Sequence, residues 1–183
     1  MIAAILPLVL LAASPVEVVI ETTLGTIDVR LAPQQAPMTT ANFLRYVDAG
    51  AYTGGSFHRT VTPANQPSSP VKIEVIQAGP APAAKALPAI PLERTSVTGL
   101  HHRDGTISMA RDTPDTATSD FFICIGDQPS LDFGGKRNPD GQGFAAFGQV
   151  VRGMDVVRRI QAAPSVGQSL VPPVSIVRIY RKR

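Results

Sequence analysis

The sequence predicts a mainly β protein: a closed antiparallel barrel of about eight strands, with an α-helix over each end. Three observations carry that expectation. The apolar runs are short, β-branched and aromatic, and bounded by turn-forming residues. The clearest is Phe121-Phe122-Ile123-Cys124-Ile125, lying between the polar stretch 111–120 and Gly126-Asp127. The 183-residue chain carries 17 prolines and 15 glycines, which implies many turns. Only two segments place apolar residues at helical spacing.

Taken in order, 16–22 and 26–31 read as strands joined at Leu24-Gly25, a first hairpin. The segment 39–49 reads as a helix, with Pro37 near its start and Gly50 just past its end. Phe43, Leu44 and Val47 share its inner face, while Arg45 and Asp48 face out. The turn 51–55 leads into Phe57-His58-Arg59, and the Pro-rich stretch 60–70 is a loop. A strand is expected over 72–77. The Ala- and Pro-rich stretch 79–91 is a surface excursion, because no second core's worth of sequence follows it. Strands follow at 106–110, 121–125 and 144–150, separated by polar loops at 111–119 and 127–143. A second helix covers 153–160 with Met154, Val157 and Ile160 inward. The closing strand is 172–181, its faces alternating as Val174, Ile176, Arg178, Tyr180 against Ser175, Val177, Ile179.

The length suits one domain with one core, and 44% apolar with 17% charged residues is ordinary for a globular chain. Net charge is +3, and part of the excess lies in Arg178, Arg181, Lys182 and Arg183. No basic stripe is interleaved with aromatics, so nucleic-acid binding is not expected. The one cysteine, Cys124, reads as a buried thiol that fills core. Residues 2–13 are apolar without interruption, too short to span a bilayer and of signal-peptide length, although no Lys or Arg precedes them. Small residues Ala12, Ala13 and Ser14 close the run, so 1–14 reads as a signal peptide and 15–183 as the folded domain. The competing reading, a buried first strand, meets a β pattern that begins only at Val16. The expected location is periplasmic or secreted, with no stable membrane association after cleavage.

Several chemistries lack their parts. His58, His101 and His102 have no metal-ligand spacing with the cysteine, so no metal is expected. No Gly-rich loop with Lys and Ser/Thr is present for phosphates, and no Gly-x-Ser-x-Gly elbow for a hydrolase. What the chain does contain, in order, is Phe57-His58-Arg59, Val75-Ile76-Gln77-Ala78-Gly79, Ser108-Met109-Ala110, Phe121-Phe122-Ile123 and Phe147-Gly148-Gln149-Val150. Together these motifs, over roughly 16–180, resemble the cyclophilin family of peptidyl-prolyl cis-trans isomerases.

Isomerisation about Xaa-Pro bonds needs no acid, base, nucleophile or cofactor. The barrier is the loss of amide resonance, about 18–20 kcal/mol. A hydrogen-bond donor aimed at the pyramidalising proline nitrogen, in a site with little water, favours the twisted state. The resemblance implies Arg59 as that donor and Gln77 as its brace and a contact to the substrate backbone. It implies Phe122 as the floor of a proline pocket, Val75 and Leu131 as its walls, and Phe57 packed beneath. Ala110 and the backbone of Arg111 match the segment that holds the residue before the proline. The sequence departs from the family where Phe144 replaces the pocket histidine, Ser130 replaces a tryptophan and Asp120 replaces a glutamine; Glu74 stands where many members have an aromatic. Weak cyclosporin binding is therefore expected, and a nanomolar affinity by calorimetry would contradict it. Glu74 and Asp120 place negative charge near Arg59, either orienting it or competing for it. Xaa-Pro-containing polypeptides are the expected partners of a monomer. The alternative is a cyclophilin-fold module or chaperone that binds proline peptides with little turnover.

Overall fold

The computed structural model describes residues 15–182. The signal-peptide reading of 1–14 lies outside the described residues. Among the described residues nine strands form one antiparallel sheet: β1 (Glu17–Thr22), β2 (Gly25–Leu31), β3 (Ser56–Val61), β4 (Val75–Gly79), β5 (Thr106–Met109), β6 (Phe121–Cys124), β7 (Ala145–Arg152), β8 (Ser165–Val166) and β9 (Ser169–Arg181). Their order is β1-β2-β7-β5-β6-β4-β3-β9, and β9 pairs back onto β1. That last pairing closes an eight-strand barrel; the two-residue β8 is a hairpin arm on β9. Closure leaves the eight ladders with no free edge.

Helix α1 (Pro37–Asp48) packs on β7 and β9, and α3 (Met154–Gln161) packs on β2, β3 and β4, so each seals one mouth of the barrel. Proline at the start of α1 lacks only an N–H that would have no partner there. The next two N–H groups, of Met38 and Thr39, donate to the Glu93 carboxylate at 3.1 and 2.8 Å. A distant acid thus caps the positive end of the helix dipole. A third, one-turn helix, α2 (Thr95–Thr98), lies within the long excursion between β4 and β5 and ends at Gly99 with φ +70°. It was not expected, since four residues carry no periodicity. In α3 the buried residues are Val156, Val157 and Ile160, while Met154 is only partly buried. Gly153 allows that helix to start: its φ is +95°, and a Cβ there would lie 2.4 Å from Thr26 O.

Three strand expectations are corrected by irregular pairing. The strand expected at 72–77 runs from Val75 to Gly79. Ile73 is claimed by a side chain instead, since Gln66 Nε2 donates to its carbonyl at 2.7 Å. The strand around Arg59 extends to Val61, where the sequence suggested a loop from Thr60. In β9 the alternation breaks, because Glu21 faces Arg178 but Thr22 faces Ile176. The skipped residue is a β-bulge, so Val174, Ile176 and Ile179 point inward and Val177 is exposed. β9 also begins at Ser169, before Pro172-Pro173, because the ladder with β3 jumps from Val174 to Ser169 and asks no N–H of the prolines.

The core fills the barrel. Phe43, Tyr52, Phe57, Phe121 and Phe147 cluster there with ring centroids 5.2–6.0 Å apart. A second, smaller apolar cluster of Val61, Ile73, Val75, Phe122, Cys124 and Leu131 lies on the outer face of the sheet. The Phe121-Phe122 doublet divides between the two, as successive strand residues must. Cys124 is fully buried in the outer cluster, and burial pushes its thiol pKa far up.

Candidate active site

The outer cluster floors a cleft of about 380 Å³. Its foundation is one row of paired residues across four strands: Arg59 on β3 faces Gln77 on β4, Gln77 faces Phe122 on β6, and Phe122 faces Ser108 on β5. Strands lie about 4.8 Å apart, so Arg59 and the Phe122 ring are held about 10 Å apart at their backbones. That span suits a side chain reaching toward a ligand seated on the ring.

Arg59 reaches this face because of a bulge. Phe57 pairs with Ala78, yet Arg59 pairs with Gln77, so two residues of β3 oppose one of β4. Strict alternation would put Phe57 and Arg59 on the same face. With the bulge, Phe57 points into the barrel, fully buried against Phe121, and Arg59 lines the cleft. Phe57 therefore belongs to the main core, beneath the sheet that floors the cleft, and does not itself line the cleft.

The Arg59 guanidinium is fixed by two amides. Its Nε and Nη2 donate to Gln168 Oε1 at 2.9 and 2.6 Å, and its Nη1 donates to Gln77 Oε1 at 2.9 Å. A guanidinium has five N–H groups. One N–H on each of Nη1 and Nη2 thus keeps no partner among the described residues. Burial, aided by the nearby Arg137 charge, lowers the Arg59 pKa from its ordinary value. It stays charged, because an arginine titrates far above neutral pH. Asp120 does not touch Arg59. It accepts from Gln77 Nε2 at 3.3 Å, and so turns the other end of that amide, the oxygen, toward Arg59. Glu74 turns away altogether, accepting from Gln161 Nε2 at 2.8 Å at the α3 end of the barrel. Of the two acids expected to orient Arg59 or compete for it, Asp120 bears on it through Gln77 and Glu74 is turned away.

Phe122 is 5% exposed, and its surroundings fix its plane. The His102 ring stacks on it at 5.9 Å and 15°, and Phe144 meets it edge-on at 5.3 Å and 88°. His102 is itself pinned between Ser108 Oγ at 2.9 Å and Asp132 Oδ1 at 2.6 Å. Asp132 also takes the His102 N–H at 3.0 Å and pairs with His101 Nδ1 at 2.9 Å. Burial pushes the Asp132 carboxyl up, but the hydrogen bonds from the two histidines outweigh it and hold it at about 2. Val75, Ala110, Leu131 and Phe144 complete the apolar wall. The Arg111 guanidinium lies over the Phe144 ring at 5.0 Å and is anchored on Asp140 at 2.8 Å and on Gly143 O at 2.8 Å.

All the sequence-expected site residues except Phe57 thus line one cleft. Gln168, His102, Asp132 and Arg137 were missed. Gln168 sits on a hairpin more than a hundred residues from Arg59, and nothing in its local sequence marks it. His102 carried a signal, a histidine beside another and far from any metal set, but not its target.

Comparison with known proteins follows the same lines. A family model described as cyclophilin type peptidyl-prolyl cis-trans isomerase/CLD matches residues 17–181. Peptidyl-prolyl cis-trans isomerase A of Dickeya dadantii is 35% identical over 150 residues, covering 81% of this chain and 73% of that protein. Peptidyl-prolyl cis-trans isomerase B of Escherichia coli is 35% identical over 141 residues, covering 75% of this chain and 79% of that protein. A crystal structure of a Cryptosporidium parvum cyclophilin type peptidyl-prolyl cis-trans isomerase superposes with a TM-score of 0.72 at 21% identity, over 92% of this chain and 98% of that one. A second structure of that Cryptosporidium parvum protein, in the presence of the dipeptide Ala-Pro, superposes with a TM-score of 0.71 at 22% identity, over 91% of this chain and 99% of that one.

Proposed function

The chain belongs to the cyclophilin-type peptidyl-prolyl cis-trans isomerases, and from that membership we propose that the cleft between Arg59 and Phe122 binds Xaa-Pro segments of folding polypeptides and lowers the barrier to their rotation. The observation that carries this is the row Arg59, Gln77, Phe122 on three neighbouring strands: a fixed donor and an aromatic floor with the bracing glutamine between them. The proline ring lies on Phe122 against Leu131 and Phe144. The rest of the amide is then free to turn. As conjugation breaks, the proline nitrogen gains a lone pair, and a free N–H of Arg59 donates to it. Gln168 and Gln77 hold the guanidinium in place beforehand, so little reorganisation is needed when the charge develops. Asp120 acts through Gln77.

The Cryptosporidium parvum relative was crystallised in the presence of Ala-Pro, which supports proline as the recognised element here too. Exchange spectroscopy on a short Xaa-Pro peptide tests the reading. Accelerated cis/trans exchange is expected. Peptide shift changes without acceleration would mean binding alone, the module or chaperone reading. Weak cyclosporin affinity belongs to the same proposal, because Ser130 stands where the family's tryptophan would be. So do a monomeric state and export through residues 1–14, supported by their apolar run and the small residues at 12–14. Mass spectrometry of the native protein would overturn export by finding Met1 retained.

A further inference from the structure

Arg137 stands on the 127–143 loop and lines the cleft together with Arg59. Its Nη1 donates to Gln66 Oε1 at 2.9 Å, Ser69 Oγ at 2.7 Å and Val71 O at 2.7 Å. Three neutral acceptors on the facing loop therefore hold the guanidinium still. Its Nε and Nη2 have no hydrogen-bond partner, and no carboxylate lies within 4.0 Å of it, among the described residues. That edge, two parallel N–H groups, is the fork that fits a carboxylate. The chain uses the same edge in this way twice elsewhere: Arg178 on Glu21 at 2.7 and 3.1 Å, and Arg181 on Asp48 at 2.7 and 2.6 Å.

The other arginines of the cleft cannot serve. Arg59 has this edge filled by Gln168 Oε1, and Arg111 is already paired with Asp140. Arg137 is half-buried, and burial lowers its pKa. A cation partly withdrawn from water without a counter-charge is unfavourable, and a second cation nearby makes it more so. A ligand carboxylate would relieve both.

We propose that Arg137 is a carboxylate subsite of the cleft, favouring Xaa-Pro clients that carry an acidic side chain beside the proline or end there in a free carboxylate. This rests on the reading that the cleft takes proline peptides. The test uses the whole protein and short acetylated peptides: neutral Ala-Ala-Pro-Ala-amide, versions with Glu on either side of the proline, and Ala-Ala-Pro as the free acid. Affinity comes from shift titrations, turnover from exchange spectra. At least one carboxylate peptide is expected to bind roughly three- to tenfold tighter than the neutral one at low salt, with the gain shrinking at high salt. The Glu peptides and the free acid separate the two sources of the carboxylate. Arg137→Met should bring that ratio to one, and Arg137→Lys, keeping charge but not the fork, should keep part of it. Should the Met variant not fold, the Lys variant and the salt dependence of the parent decide. Equal affinity for all peptides, or a ratio that survives Arg137→Met, would overturn the subsite alone. No shift changes with any peptide would overturn the reading of the cleft itself.

Discussion

Among the described residues Arg59 is held by two amide oxygens and by no carboxylate. On the proposed mechanism that choice matters, because an acid in direct contact would neutralise the charge offered to the proline nitrogen. Gln168→Ala removes two of its three hydrogen bonds and frees the side chain to sample other rotamers. Turnover should fall about five- to twentyfold with substrate affinity nearly unchanged, since the brace acts on the donor and not on the peptide. Gln168→Glu should keep the geometry and still lower turnover, by supplying the acid that is absent. Saturation kinetics by exchange spectroscopy would separate the effects, and a loss confined to affinity would refute the positioning role. The sequence could not announce Gln168, because the contact is set by the hairpin between β8 and β9. It announced Arg59, Gln77 and Phe122 because their motifs are local and ordered. Which face of the sheet Phe57 and Arg59 take was not legible, because the bulge beside them is a property of pairing, invisible along one strand.

The loop 127–143 forms one wall of the cleft, and Asp132 ties it to the barrel through His101 and His102. The folded pKa of Asp132, about 2, lies below the ordinary carboxylate value of 3.8. A depressed carboxylate stabilises the fold fully above its unfolded value and loses that contribution as pH falls through the folded one. Asp132→Asn should therefore lower Tm by on the order of a few degrees at pH 7. The gap should close as pH drops from about 4 toward 2, and thermal melts of both proteins across that window would show it. A gap independent of pH would point to shape rather than charge. Elements with clear periodicity were legible: both long helices and most strands fall within a few residues of their expected places. The boundaries moved where a side chain replaced a ladder bond, as Gln66 does at Ile73, or where a bulge reversed the faces, as at Val177. α2 and β8 are too short to leave a pattern.

The barrel as a whole explains why so little chemistry is needed. Closure of β9 on β1 leaves the sheet no edge along which to shift, and the helices seal its ends, so a row of side chains on its outer face is rigid. The fold class was legible because closure follows from many short strands and two capping helices. The row Arg59, Gln77, Phe122, Ser108 was not, since it depends on four registers at once. The most direct test of the central claim, that Arg59 is the donor on a preorganised sheet, is the exchange rate of one Xaa-Pro peptide with the parent and with Arg59→Ala. The account predicts that Arg59→Ala still shows peptide shift changes but accelerates exchange about a hundredfold less. Exchange as fast as the parent's would contradict it.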